Sequence, residues 1–222
     1  MNRILEFLPV ITTLLAGIFT WNIYQDFKAN RSMYLLWWTI GIFNYGLGAL
    51  SESINIVFGW SAINLKFWYI SGAILGGFIL AQGTIYYLFP KRFGNWSALF
   101  WLIFIGTATI CVILTPINRP EDFSGKLSGE VFEWQWVRYF TPFINLYGFI
   151  ISFGSALYSV NKYFQQINRE TRFIGSLYIS VGILLTGIGG FYARIGYINI
   201  LFITELIGLG FLYWGYRIIK LN

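Results

Sequence analysis

Charged side chains in this chain are spaced so that six uncharged runs, at 7–25, 32–51, 67–90, 93–118, 139–161 and 173–193, each extend for 19 to 26 residues. A seventh run, 195–216, is broken only by Glu205. A helix that crosses a bilayer needs about 20 consecutive, mostly apolar residues, and transmembrane β-strands would instead alternate apolar and polar positions. These runs do not alternate. The spacing therefore predicts an all-α integral membrane protein with seven transmembrane helices near 4–24, 33–57, 64–89, 96–115, 139–160, 173–193 and 198–217, in one domain spanning 1–222. Composition agrees: only 11% of the residues are charged and 57% are hydrophobic, against about 25% charged in an average soluble domain. The first run exceeds the apolar core of a secretory signal, so the first helix is read as a retained span.

Absences exclude several chemistries. The chain has no histidine and a single cysteine, Cys111, so histidine-ligated haem, an iron–sulfur cluster and Ser-His-Asp catalysis are not expected. Cys111 lies in an apolar run and reads as a small buried hydrophobe. Nucleic acid is not an expected partner; membrane lipid is.

Most connections are short. The exception is an outer loop, 117–138, in which Phe132, Trp134 and Trp136 alternate with Glu133 and Gln135. That pattern predicts a strand or hairpin serving either as an aromatic anchor at the membrane surface or as a lid over the bundle. Lysine and arginine set the orientation. Nine lie on the side that holds the C-terminus and six on the other, or nine to three without the long loop. The positive-inside rule then places the N-terminus outside and the C-terminus in the cytoplasm of a plasma or inner membrane.

A shift of 141 positions superposes Lys28-Ala29-Asn30-Arg31 on Arg169-Glu170-Thr171-Arg172, and Gly41-Ile42 with Gly46-Leu47-Gly48 on Gly182-Ile183 with Gly187-Ile188-Gly189. Read as a repeat, this pairs helices one to three with five to seven and leaves the fourth as linker, a parallel 3+1+3 arrangement. With its N-terminus outside, such a chain resembles the opsin-like and SWEET-like seven-helix architectures, over the whole chain but as topology. The retinal-bearing lysine that opsins carry midway along their seventh helix has no counterpart, since Lys220 falls past that helix, so covalent retinal is not expected. The paired prolines of SWEET-like transporters are likewise missing.

Ionisable residues within a bilayer are costly and mark partners or cavities. Glu6, Glu52, Lys66, Arg194 and Glu205 all fall in the outer half. Helical steps of three and four place Gly41, Asn44, Gly48, Glu52 and Asn55 on one face of the second helix, and Asn145, Gly148, Ser152, Ser155 and Ser159 on one face of the fifth. Helix six lines up Ser176, Ser180, Gly187, Gly190 and Arg194. In one reading small residues let helices pack closely, and Glu52 and Glu205 neutralise Lys66 and Arg194. In the other, Glu52, Lys66, Arg194, Glu205, Asn44, Asn55 and Asn145 line an outer pocket that binds a small amphiphilic or ionic ligand or couples to protons. Three function classes follow: a receptor-like or transporting binding protein, an accessory subunit among other membrane subunits, and a lipid-acting intramembrane enzyme. The third would use Glu52 or Glu205 as acid or base and has the least chemistry behind it, without histidine, intramembrane aspartate or a metal cage.

Overall fold

The computed structural model describes residues 7–119, 125–164, 166 and 170–220; Glu6, Asn168, Arg169 and the start of the first expected helix, 4–6, lie outside them. The chain forms seven long helical segments. They are α1 (Leu8–Asn30), α2 (Met33–Phe58), α3 (Ala62–Leu88), α4 (Lys91–Leu114), α5 (Phe140–Phe164), α6 (Glu170–Arg194) and α7 (Ile198–Lys220). Five of them, α3 to α7, are long and apolar enough to cross a membrane. The other two match them in length, but threonine, asparagine and tyrosine dilute α1, and asparagine, serine and Glu52 dilute α2.

Several helices outrun their uncharged segments. α1 continues through Asp26 and Lys28 and stops only at Arg31, which turns left-handed (φ 50°) and donates its N–H to the Phe27 carbonyl. The uncharged run measures the apolar slab; the backbone goes on satisfying its own hydrogen bonds beyond it. Pro90 caps the start of α4 directly, so that helix begins five residues before the expected 96.

Six helices close a ring in the order α1, α2, α3, α5, α6, α7 and back to α1. α4 stands outside it, against α3, with Trp101 stacked on Tyr147 of α5 at 4.3 Å between ring centroids. The outer face of α4 leaves Trp96, Phe100, Ile103 and Ile110 exposed, while Asn44, Ser51, Glu52, Ser71, Gln82 and Ser180 are buried. A molecule with apolar residues outside and polar residues inside suits a hydrocarbon surrounding, since exposed apolar patches of this extent are foreign to soluble monomers.

The α6–α7 seam runs at backbone contact. A Cβ at Gly175 would come within 2.9 Å of the Gly215 carbonyl, at Gly182 within 2.8 Å of the Gly208 carbonyl, and at Gly189 it would strike Thr204. These three glycines recur every seven residues on the face of α6 turned to α7. Gly187 of the expected stripe faces Phe149 of α5 instead, and Gly190 and Arg194 are exposed.

The strand expected at 131–137 is reduced to one isolated antiparallel bridge, Ile117 to Phe132, between short 3-10 turns at Gly129–Val131 and Gln135–Tyr139. Consecutive Val131 and Phe132 are both buried, which a two-residue period forbids. The segment is held by main-chain bonds from Asn118 N–H to Val131 O (2.8 Å) and from Glu133 N–H to Pro116 O (3.0 Å). Phe132 meets Tyr69 edge-on at 4.9 Å, and Leu127, Val131 and Val137 join the core of α3, α4 and α5. The loop thus plugs the cleft between α3, α4 and α5 at the N-terminal end of the bundle, with Trp136 left at its surface.

Gly182→Ala is expected to destabilise the bundle by about 1–3 kcal/mol, because its methyl group meets backbone that cannot swing aside. Gly154→Ala, which meets nothing within 4 Å, should be neutral or stabilising by roughly 0.5–1 kcal/mol. Thermal midpoints of the two variants in one detergent separate these outcomes.

Candidate functional site

Two polar regions lie at different depths. In the N-terminal half, α2 and α3 approach so closely that a Cβ on Gly48 would sit 3.7 Å from the Gly72 Cα. At that contact α3 widens into a π-helical segment, Tyr69–Ile74. Such a turn breaks the regular i to i−4 ladder and frees carbonyls for other donors. Asn44 uses one of them, donating its amide to the Ser71 carbonyl at 2.7 Å, and Asn64 donates to the Ser51 carbonyl at 2.8 Å in the other direction. Trp68, one residue before the π segment, turns its indole N–H to Glu52 Oε1 at 3.0 Å. The Glu205 carboxyl of α7 lies within hydrogen-bonding reach of Glu52, and Tyr45 donates its hydroxyl to the Glu205 main-chain carbonyl at 3.1 Å.

Neither expected base joins this group. Lys66 donates its ammonium to the carbonyls of Ile113 (2.7 Å) and Thr115 (2.8 Å). Those atoms end α4, where unpaired carbonyls and the helix dipole present partial negative charge. Arg194 is exposed at the end of α6 and forms no ion pair among the described residues. Asn55 donates to the Gly125 carbonyl of the plug at 3.2 Å, and Asn145 is exposed on α5 with its Oδ1 beside Gly77. Of the seven residues singled out from the sequence, the fold brings Glu52 and Glu205 together, sets Asn44 two turns away along α2 against Ser71, and disperses the others. The outer cluster of two acids with two bases does not form; the acids meet each other.

The second region is a cavity of about 500 Å³ in the C-terminal half, lined by all six ring helices. None of those seven residues touches it. Its blind end is apolar, with Ile42 of α2, Leu80 of α3, Ile183 of α6 and Leu212 of α7. Its flank is a serine ladder on α5, Ser152, Ser155 and Ser159, facing Ser176 of α6. Its mouth holds Asn30, Tyr34, Arg172 and an ion pair in which Lys220 Nζ lies 2.6 Å from Asp26 Oδ1. Tyr216 donates its hydroxyl to the other oxygen of Asp26. This is the one ion pair among the described residues, and it ties the last turn of α1 to the last turn of α7.

Gln82 forms a third polar contact and a structural one. Its amide donates to the Gly94 carbonyl (2.9 Å), and its oxygen accepts from Ser97 (3.1 Å) and Tyr147 (3.2 Å), tying α3 to α4 and α5. Among the described residues no group of three or more His, Cys, Asp or Glu side chains converges as metal ligands would.

The mouth was not read from the sequence, although its serine ladder was already visible as a polar face. Asp26, Arg172, Tyr216 and Lys220 sit near helix ends, where ordinary interfacial charge explains them equally well; only the fold brings four helix ends around one opening.

Comparisons with known protein families, with curated proteins and with solved structures find no match. No match supports an opsin-like or SWEET-like assignment; what the fold shares with the expectation is an all-helical bundle of seven helices.

Asp26→Asn and Lys220→Met should couple in a double-mutant cycle by about 0.5 kcal/mol or more, as contacting charges do, whereas Glu52→Gln and Lys66→Met should add within about 0.5 kcal/mol. Unfolding of the detergent-solubilised variants by heat or denaturant reads both cycles.

Proposed function

We propose that this chain is an integral membrane binding protein, receptor-like or transporting, whose ligand is a small amphiphile with an anionic head. The observation that carries this reading is the cavity: about 500 Å³ falls within the roughly 300–1,000 Å³ usual for small-molecule sites. Its polarity is graded along its depth. Apolar Ile42, Leu80, Ile183 and Leu212 suit a hydrocarbon tail, and serine and tyrosine hydroxyls with Arg172 suit a head at the mouth. Arg172 is the favoured head-group contact, because Lys220 is already matched to Asp26.

The 3+1+3 repeat gains support from the ring. Under that pairing α1 against α2 corresponds to α5 against α6, and α2 against α3 to α6 against α7. The two junctions between halves, α3 with α5 and α7 with α1, also correspond. Aligned glycines behave alike: a Cβ on Gly41 would strike Leu80 of α3, and one on Gly182 would strike α7. In this reading α4 is the linker, and the cavity lies between two like halves, where repeat transporters place their sites. All seven helices then span the membrane. The basic residues at the cavity end favour a cytoplasmic position for that end and the C-terminus.

Binding is tested with a fluorescent medium-chain fatty acid and its uncharged alcohol analogue in lipid nanodiscs. The acid should bind saturably and more tightly than the alcohol. Arg172→Gln should reduce that preference roughly tenfold, as loss of one charge-assisted contact worth about 1.5 kcal/mol would. Ala156→Trp, which fills the cavity from α5, should abolish binding while leaving the thermal midpoint near that of the parent. Equal binding of the acid to the filled variant would place the site elsewhere. A second membrane protein that cannot be separated from the chain would favour the accessory-subunit reading.

A further inference from the structure

The N-terminal layer contains an unsolved pairing problem. Glu52 is 3% exposed, and its Oε1 accepts the Trp68 indole N–H. Its Oε2 is buried and has no hydrogen-bond partner among the described residues. The group within reach is a second carboxyl, that of Glu205. Two ionised carboxylates have no donor to offer each other, and with Glu52 buried and Glu205 half-buried their like charges repel with little water to screen them. No base relieves them: Lys66 is engaged by the end of α4, and Arg194 is at the surface. From the elements packed here, the titratable groups facing the pair are Tyr45 of α2, whose hydroxyl is given to the Glu205 main chain, and the two glutamates themselves. Trp68, the α3 group in contact, does not titrate.

We propose that Glu52 and Glu205 form a proton-binding carboxyl pair that holds one proton between them and acts as a latch between α2 and α7. A carboxyl that keeps its proton is the donor Oε2 lacks. With the proton in place, a hydrogen bond joins the two halves of the ring; with it gone, two like charges face each other across the same contact and drive the halves apart.

The placement gives the latch something to act on. Along α2, positions 35, 38, 42, 45, 49 and 52 follow steps of three and four, and along α7 so do 205, 209, 212, 216 and 220, so each set lies on one helix face. Leu35, Trp38, Ile42, Leu212, Tyr216 and Lys220 of those faces line the cavity. Glu52 and Glu205 continue the same two faces towards the other end. One layer intervenes, made of Tyr45 with buried Ala49 and Leu209. Loss of the proton therefore acts on two faces that continue, one layer further on, into the wall of the cavity.

The test is infrared difference spectroscopy of the ligand-free protein in lipid vesicles, so its outcome does not depend on what the cavity binds. At neutral pH the parent should show the C=O stretch of a protonated carboxyl. E52Q and E205Q should each lose it, because the introduced amide supplies the donor and leaves the remaining carboxylate ionised. Absence of the band from the parent overturns the proposal, as does its survival in both variants. Loss in one variant alone also overturns it, since the proton would then belong to a single glutamate. If a variant does not fold, the parent grown with glutamate isotopically labelled at the side-chain carboxyl carbon decides: the band must shift, and an unshifted band overturns the assignment.

Discussion

Hydrocarbon offers no hydrogen bonds, and the interior of this bundle is arranged around that fact. A polar group drawn inside is costly unless it finds a partner in the chain itself, and Asn44, Asn64 and Gln82 do. The π-helical turn of α3 shows how this is met. By releasing the Ser71 carbonyl from its regular ladder it creates an acceptor where α2 presents Asn44. The exchange allows α2 and α3 to meet at Gly48 and Gly72, and that contact in turn sets Trp68 against Glu52. Gln82 solves the same problem with all its polar atoms engaged by α4 and α5. Close glycine seams and satisfied amides hold the ring, while Phe132 and Val137 pack against α3, α4 and α5 at one end of the bundle.

Much of this was legible before any coordinates. Long uncharged runs give the helices because hydrocarbon excludes charge over a fixed thickness, and steps of three and four along α2 correctly put Asn44 and Glu52 on an inward face. The same logic marked Ser152, Ser155 and Ser159 as a stripe. It did not show that the stripe borders a void, because a void is set by how six helices splay and not by any one face. The mistaken partner of Lys66 has a plain cause. Formal charges can be counted in a sequence, but the partial charge at the end of a helix cannot be located until the end of α4 is placed beside α3. The failed strand at 131–137 is similar: alternation was present, yet the burial of Val131 and Phe132 side by side was decided by the cleft above Tyr69.

The two polar regions differ in kind. The mouth of the cavity pairs opposite charges at a wet boundary, where an ion pair is weak and easily exchanged. The deeper layer sets like groups together where water is scarce, so a small change in occupancy there has a large energetic effect. Both bridge α7 to the first half of the chain, the mouth through α1 and the deep layer through α2. α7 is therefore the element on which the two regions can exchange influence.

The plug leaves the two ends of the molecule unlike. At the end opposite Lys220, Leu127, Val131, Phe132 and Val137 are packed among α3, α4 and α5. At the mouth of the cavity one ion pair spans α1 and α7. A partly exposed ion pair yields more cheaply than packed aromatic rings, so the helix ends part more easily at the mouth than at the plugged end.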